Sequence, residues 1–120
     1  MSTEVTNGHS VDQLDRVFHA LSDRTRRALI ARLAEGPGII TDLAAPFDMS
    51  FPAVSKHLRV LEAARLVGRA VDGRIHRCSL TAEPLHQAEQ WIDCYRPFWE
   101  GTLGALAEYV ERGTGRRKKR

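Results

Sequence analysis

Residues 50–80 read SFPAVSKHLRVLEAARLVGRAVDGRIHRCSL, and this stretch contains the two signals that decide the fold. Its first half has apolar residues every three or four positions. Ser50 is a good N-cap and Pro52 is tolerated in a first turn, so a helix is predicted that runs to about Ala64. After that helix the apolar period changes to two, and Asp72-Gly73 predicts a two-residue hairpin turn. The segment therefore encodes a helix followed by a β-ribbon.

The segments on either side predict further helices. Four more stretches have apolar residues at helical spacing. We expect these helices over residues 11–21, from Asp23 to the glycines near Gly36, in a short stretch from Thr41, and from Pro84 to about residue 112. Pro97 should kink or split the last of them. With the ribbon, this order predicts a winged helix-turn-helix, mainly α with a two-stranded β-wing.

Length and composition favour one folded domain. The chain has 120 residues, 42% hydrophobic and 28% charged, as in ordinary globular proteins. We expect a domain over residues 11–112, after a flexible N-terminus (1–10) and before a basic disordered tail (113–120). The sequence contains neither an apolar run of membrane-spanning length nor a signal-peptide pattern, which predicts a cytoplasmic protein with no membrane partner.

The positive charge is concentrated in two places. The net charge is +3, and residues 116–120 are all basic. Residues 50–80 contain six basic and two acidic side chains, whereas residues 81–112 contain six acidic and two basic ones. The helix and ribbon should therefore attract an anionic partner, and the terminal helix should repel it.

The predicted fourth helix has two different faces. At about 100° per residue, Val54, Leu58 and Leu61 form a stripe that should pack inward. The opposite arc carries Ser55, Lys56 and Arg59. A guanidinium can bond a guanine edge at two atoms, while hydroxyl and ammonium groups can hold phosphates or bases. The pattern indicates a helix that reads a DNA groove, with a solvated helix face as the alternative.

The ribbon is predicted to have a basic tip. Pairing across Asp72-Gly73 places Arg69, Arg74 and His76 toward the tip of one face, with Arg77 on the other face. Such a protrusion could follow a phosphate backbone or enter a minor groove. The alternative is that these charges protect an exposed strand edge from pairing with another chain.

Three motifs in combination resemble one family. They are ALSDRTRR (residues 20–27), PAVSKHLRVL (residues 52–61) and the hairpin with Asp72-Gly73-Arg74. Over about residues 11–111 the chain resembles ArsR-type (ArsR/SmtB) winged helix-turn-helix transcriptional regulators. The resemblance implies a homodimer, usually a repressor, whose fourth helix enters the major groove and whose wing contacts adjacent DNA. We expect a pseudo-palindromic operator, because two-fold symmetry in the protein requires it in the DNA.

Combining the resemblance with the charge pattern gives a set of expected DNA contacts. They are Ser50, Phe51, Ser55, Lys56, His57, Arg59, Arg69, Arg74, His76 and Arg77. Phe51 stands where the family often has Gln, although a Phe ring could contact a thymine methyl. Arg65 stands where the family commonly has Gly, and a left-handed backbone there would cost about 1 kcal/mol.

The first and last helices carry more apolar side chains than one small core needs. We expect them to form the dimer interface, with Val11, Leu14, Phe18, Trp91, Tyr95, Trp99, Leu103, Leu106 and Val110. The aromatic members of this set could instead line a pocket for a small effector.

Many proteins of this resemblance sense metals, through paired thiolates on the third helix or Asp/His sets on the last helix. Residues 41–46 contain no cysteine, so we expect a member without the metal motif and without a cofactor. Of the two cysteines, Cys78 should fill the core and Cys94 is the redox candidate.

The sequence contains none of the common catalytic motifs, which predicts that the protein is not an enzyme. Two alternatives remain open: a metal- or thiol-responsive repressor of the same fold, and a non-specific nucleic-acid binder that uses the tail.

Overall fold

The computed structural model describes residues 2–114. The elements in chain order are α1 (Ser2–Leu21), α2 (Arg24–Leu33), β1 (Gly38–Ile39), α3 (Ile40–Ala44), α4 (Phe51–Ala63), β2 (Val67–Asp72), β3 (Ile75–Leu80), α5 (Glu83–Asp93) and α6 (Arg96–Thr114). Described residues up to Ala88 form one compact unit, and those from Glu89 onward form a second. The first unit has the predicted architecture, with helices, a tight turn, the fourth helix and a hairpin wing in that order.

The core of the first unit lies where α1, α2 and α3 pack around α4. Its fully buried side chains include Val17, Leu29, Leu43, Val54, Leu58, Leu61 and Leu66. Burial of one such side chain contributes about 1.5–3 kcal/mol, so the inward stripe of α4 anchors that helix. Gln13 adds a polar link, because its side-chain amide donates to the backbone oxygen of Ala64 at 2.9 Å.

A third strand accompanies the hairpin and was not expected from the sequence. The sheet order is β1-β3-β2, and Gly38 pairs with Cys78 in antiparallel fashion. A Cβ atom on Gly38 would lie 2.8 Å from the Cδ2 atom of Leu43, so a larger residue here would displace the buried Leu43 side chain of α3. The sequence pattern at Gly38 indicated only the end of a helix, because two residues are too few to show a strand period.

The hairpin turns one residue later than predicted. Asp72 pairs with Ile75, so the turn residues are Gly73 and Arg74. Gly73 has a φ of +65° at the first central position, where primed hairpin turns require positive φ. The predicted turn would have placed Asp72 there, at a steric cost that glycine avoids. The residues that still share one face are Val67, Arg69, His76, Cys78 and Leu80.

One helix boundary, the start of α1, differs from the prediction, and another, the break near Pro97, agrees with it. The sequence predicted a first helix over residues 11–21, whereas α1 begins at Ser2, so the predicted start is wrong. Ser at position 10 does not stop a helix, because its helix propensity is only moderately below that of Ala. In the second unit, the expected effect of Pro97 is confirmed: α5 ends at Asp93 and α6 begins at Arg96.

No helix in the described part of the chain combines the length and the hydropathy that a membrane crossing requires.

Candidate nucleic-acid interface

The outward face of α4 forms the first part of the candidate interface. Ser50 begins the helix as predicted, since its hydroxyl accepts a hydrogen bond from the backbone N–H of Ala53 at 3.2 Å. Opposite the buried stripe lies a surface groove of about 550 Å³. It is lined by Phe51, Pro52, Ala53, Ser55, Lys56 and Arg59. Four of the residues expected to contact DNA therefore line one groove: Phe51, Ser55, Lys56 and Arg59.

Two cations of this face are available to a ligand. Lys56 and Arg59 are exposed, and neither side chain forms an ion pair or hydrogen bond with any residue that the structure describes. Ser55 is half-buried, and the ring of Phe51 is 46% exposed at the start of the helix. The groove thus offers positive charge beside an apolar ring, which suits phosphates and base edges in a DNA groove.

The wing provides the second part of the interface. Arg74 lies in the turn and Arg77 on the outer face of β3, and both are exposed. Val71 and Ile75 flank the turn and are also exposed, at 59% and 47%. The tip therefore combines basic with exposed apolar side chains, a combination that is frequent in proteins that bind a minor groove.

Arg69 and His76 are not located at that free tip. The Nε atom of Arg69 donates to Oε2 of Glu62 at 2.6 Å, and its Nη1 atom lies 3.2 Å from Nδ1 of His76. The side chain of Arg69 is only 20% exposed. The expectation that both residues extend toward DNA assumed a free wing, whereas the carboxylate of Glu62 on α4 holds Arg69 against the helix.

His57 faces the interior rather than the groove. Its Nδ1 atom lies 3.2 Å from Nη1 of Arg26 and 3.8 Å from Oδ2 of Asp23, and its side chain is 22% exposed. The resemblance implied a DNA contact at this position. The structure instead directs the ring toward α2, because His57 lies next to Leu58 at the edge of the inward stripe.

Arg26 is a structural residue that sequence reasoning missed. It is 8% exposed, and its guanidinium donates to the backbone oxygens of Ala20 at 2.8 Å and His19 at 3.0 Å. These contacts satisfy carbonyls at the end of α1. Asp23 caps α2 by accepting from the backbone N–H of Arg26, and this hydrogen bond is the main cause that lowers the pKa of Asp23. The run of three arginines at positions 24–27 gave no signal of which one is buried.

The expected dimer residues lie in both units. In the first unit, Val11 is 52% exposed, while Leu14 and Phe18 pack partly against the core. In the second, Trp91 and Tyr95 are exposed and their rings meet edge to face, with centroids 5.2 Å apart. Trp99 is half-buried and Val110 is exposed. The side chains of Leu103 and Leu106, like residues 115–120 with the basic run 116–120, lie outside the described part of the chain.

Among the described residues, neither cysteine belongs to a cluster of metal ligands. Cys78 is buried, and burial raises the pKa of its thiol. Cys94 is exposed, and its Sγ atom donates to the backbone oxygen of Trp91 at 2.8 Å. Among the described residues there is no group of three or more His, Cys, Asp or Glu side chains arranged to hold a metal ion. Helix α3 contains no thiol or imidazole, so its residues do not fit the metal that paired thiolates would bind.

Comparison with known proteins agrees with this geometry. The family model described as "Bacterial regulatory protein, arsR family" matches residues 23–68, from the start of α2 into β2. The HTH-type transcriptional regulator Rv2034 of Mycobacterium tuberculosis is 55% identical over 97 residues, which cover 81% of this chain and 88% of that protein. The chain belongs to the ArsR family.

Two other proteins support the assignment in sequence and in structure. The transcriptional repressor SdpR of Bacillus subtilis is 32% identical over 79 residues, covering 66% of this chain and 88% of SdpR. The crystal structure of the ArsR family transcriptional regulator RHA00566 superposes with a TM-score of 0.70 at 38% identity, covering 74% of this chain and 92% of that one. The predicted resemblance and fold are confirmed. The protein is a transcriptional regulator with a winged helix-turn-helix, and not an enzyme.

Proposed function

We propose that this ArsR-family protein is a homodimeric repressor that binds a pseudo-palindromic operator without a metal ion. The observation that carries the proposal is a set of exposed cations without partners among the described residues, on α4 and on the wing. They are Lys56, Arg59, Arg74 and Arg77. In this arrangement α4 would enter a major groove while the wing contacts the neighbouring backbone. Repression as the mode of action is supported by the name of the relative SdpR.

The homodimer is proposed from the apolar surfaces of the described residues. Trp91, Tyr95 and Val110 are exposed in the second unit, and Val11 is exposed in the first. Large apolar side chains in contact with water are unfavourable, and a second copy would cover them. Two copies related by a two-fold axis would meet half-sites about one helical turn, roughly 34 Å, apart. Sedimentation equilibrium should give twice the mass of the chain, and Tyr95→Glu should lower that mass toward the monomer.

Independence from metal is proposed from the ligand types. Helix α3 lacks thiols, and the described residues contain no ligand cluster. The signal that releases the protein from its operator would then be a small molecule or the oxidation of the exposed Cys94. A protein that acts on the chromosome of a bacterium works in the cytoplasm, and we place this one there.

The experiment is selection of bound duplexes from a randomised DNA pool at physiological salt, with and without a chelator. The proposal expects a two-fold-symmetric site that is enriched equally in both arms. Enrichment that depends on the chelator would contradict metal independence and indicate a metal-responsive repressor. Enrichment of no sequence would overturn operator recognition and leave the basic tail as the source of affinity. Deletion of residues 116–120 would then abolish binding to all duplexes alike.

A further inference from the structure

Three side chains connect α4 to both strands of the wing. Glu62 lies in the last turn of α4, Arg69 on β2 and His76 on β3. The guanidinium of Arg69 bonds Oε2 of Glu62 at 2.6 Å through Nε and contacts Nδ1 of His76 at 3.2 Å through Nη1. We refer to these three residues as the wing bridge.

The chemistry of the wing bridge sets a defined geometry. A guanidinium is a planar donor with fixed N–H directions, so two partners at two nitrogens fix its orientation. Arginine only donates, and Nδ1 of His76 therefore accepts. The side chains of Arg69 and Glu62 are 20% and 26% exposed, which limits the competition from water. Consistently, the hydrogen bond with Glu62 raises the pKa of Arg69.

Arg69 differs in this respect from the other basic residues of the wing. Arg74 and Arg77 are exposed and lack partners among the described residues, so they are ready to contact phosphates. Arg69 instead donates to Glu62 through Nε and contacts His76 through Nη1, and its side chain is only 20% exposed. A carboxylate next to it would also repel the phosphate. The guanidinium of Arg69 therefore makes its contacts within the protein, with Glu62 and His76.

We propose that the wing bridge is a positioning device, in which Glu62 and His76 hold Arg69 so that the wing keeps one angle to α4. Under the proposed function, DNA is contacted at two places, by Arg59 on the helix and by Arg74 on the wing. Both contacts form on one duplex only if the angle between their elements matches the spacing of the grooves. This inference rests on the proposed operator binding.

The first test uses Glu62→Gln, because two models predict opposite signs. If Glu62 affects DNA only through its charge, removal of a negative charge strengthens binding to all duplexes. The wing bridge predicts instead that specific binding weakens by about tenfold while binding to random duplexes does not weaken, a loss typical of directly coupled groups. The measured quantity is the ratio of specific to non-specific affinity, which does not change with the fraction of folded protein.

The second test asks whether Arg69 contacts phosphate. For Arg69→Ala the wing bridge predicts the same loss of specific affinity, with the slope of log affinity against log salt unchanged. A lost phosphate contact would reduce the magnitude of that slope by about 0.9. Arg77→Ala is the matched control on the adjacent strand, and its slope should fall. A reduced slope for Arg69→Ala equal to that of the control would overturn the proposal.

The double variant completes the experiment. If Glu62 acts through Arg69, Glu62→Gln combined with Arg69→Ala should lose no more specificity than Arg69→Ala alone. If the loss of specificity in the double variant equals the product of the two single losses, the wing bridge is contradicted.

The two proposals fail in different ways. A wild-type protein that selects no operator overturns the proposed function and this inference with it. A wild-type protein that selects one, with unchanged specificity in Glu62→Gln and Arg69→Ala, overturns the wing bridge alone.

Discussion

The guanidinium of Arg26 lies 3.2 Å from the Nδ1 atom of His57, and this contact connects α2 to α4. The same guanidinium bonds two carbonyls at the end of α1. One buried side chain thus joins three helices. Because arginine only donates, Nδ1 of His57 is the acceptor in this contact.

We expect Arg26→Ala to lower the free energy of unfolding by about 2–4 kcal/mol, because it removes the guanidinium that donates to the carbonyls of Ala20 and His19 and leaves a cavity. Urea denaturation measures the change. Arg27→Ala is a suitable control, since Arg27 is exposed and makes one hydrogen bond to the backbone oxygen of Leu21. Its cost should stay below about 1 kcal/mol. Equal losses for the two variants would contradict the structural role of Arg26.

Arg65 ends α4 in a conformation that suits glycine better. Its φ is +63°, its N–H bonds the backbone oxygen of Glu62 at 2.9 Å, and the N–H of Leu66 bonds that of Leu61 at 2.9 Å. These two bonds are a Schellman motif with arginine at its left-handed position. Arg65→Gly should raise stability by about 0.5–1 kcal/mol by relief of the strain. Arg65→Ala keeps the Cβ atom, so a comparable gain in that variant would refute the explanation.

The cap of α2 should make stability depend on pH in acid. Asp23 accepts from the N–H of Arg26, and this bond lowers the pKa of Asp23 below its usual 3.8. A carboxyl group with a lowered native pKa stabilises the fold above its ordinary pKa, and the contribution disappears as the pH falls through the native value. Asp23→Ala should therefore cost about 1 kcal/mol near neutral pH.

The measurement for this cap is urea denaturation of wild type and Asp23→Ala across the acid range. The difference between them should shrink below pH 3.8. Asp23→Asn retains a neutral capping group, and its stability relative to Asp23→Ala should not depend on pH through this site. A difference between wild type and Asp23→Ala that stays constant into strong acid would rule out the charged cap.

Arg59 is the strongest candidate for reading a base. It is exposed on the groove of α4, and its charge has no partner among the described residues. Arg59→Ala should weaken operator binding by about 1–3 kcal/mol and relax the preference at one base pair in each half-site. Selection from randomised DNA with the variant measures both effects. Equal weakening on operator and random duplexes would show a phosphate contact instead.

Local rules predicted much of the fold and of the interface. The Ser50 cap, the stripe of α4 and the break at Pro97 depend on interactions within about four residues, or on the geometry of one ring. The outward residues Lys56 and Arg59 follow from the same helical period. Three features were missed or misplaced: the start of α1, the two-residue strand β1, and the register of the hairpin. The register depends on which two residues form the turn, and the pattern predicted Asp72-Gly73 where the fold uses Gly73 and Arg74.

By itself, the sequence determined the order of the helices and the hairpin, the family and the helix that carries the basic groove, because periodicity and capping depend on residues that are close in sequence. Tertiary structure decided which basic side chains are free. Arg26 and His57 are 31 positions apart and meet inside, whereas Arg69 is turned to Glu62 across the packed wing. The sequence alone does not distinguish an arginine that is exposed to water from one that bonds a backbone carbonyl. Its role is set by the partners that packing brings within hydrogen-bond distance.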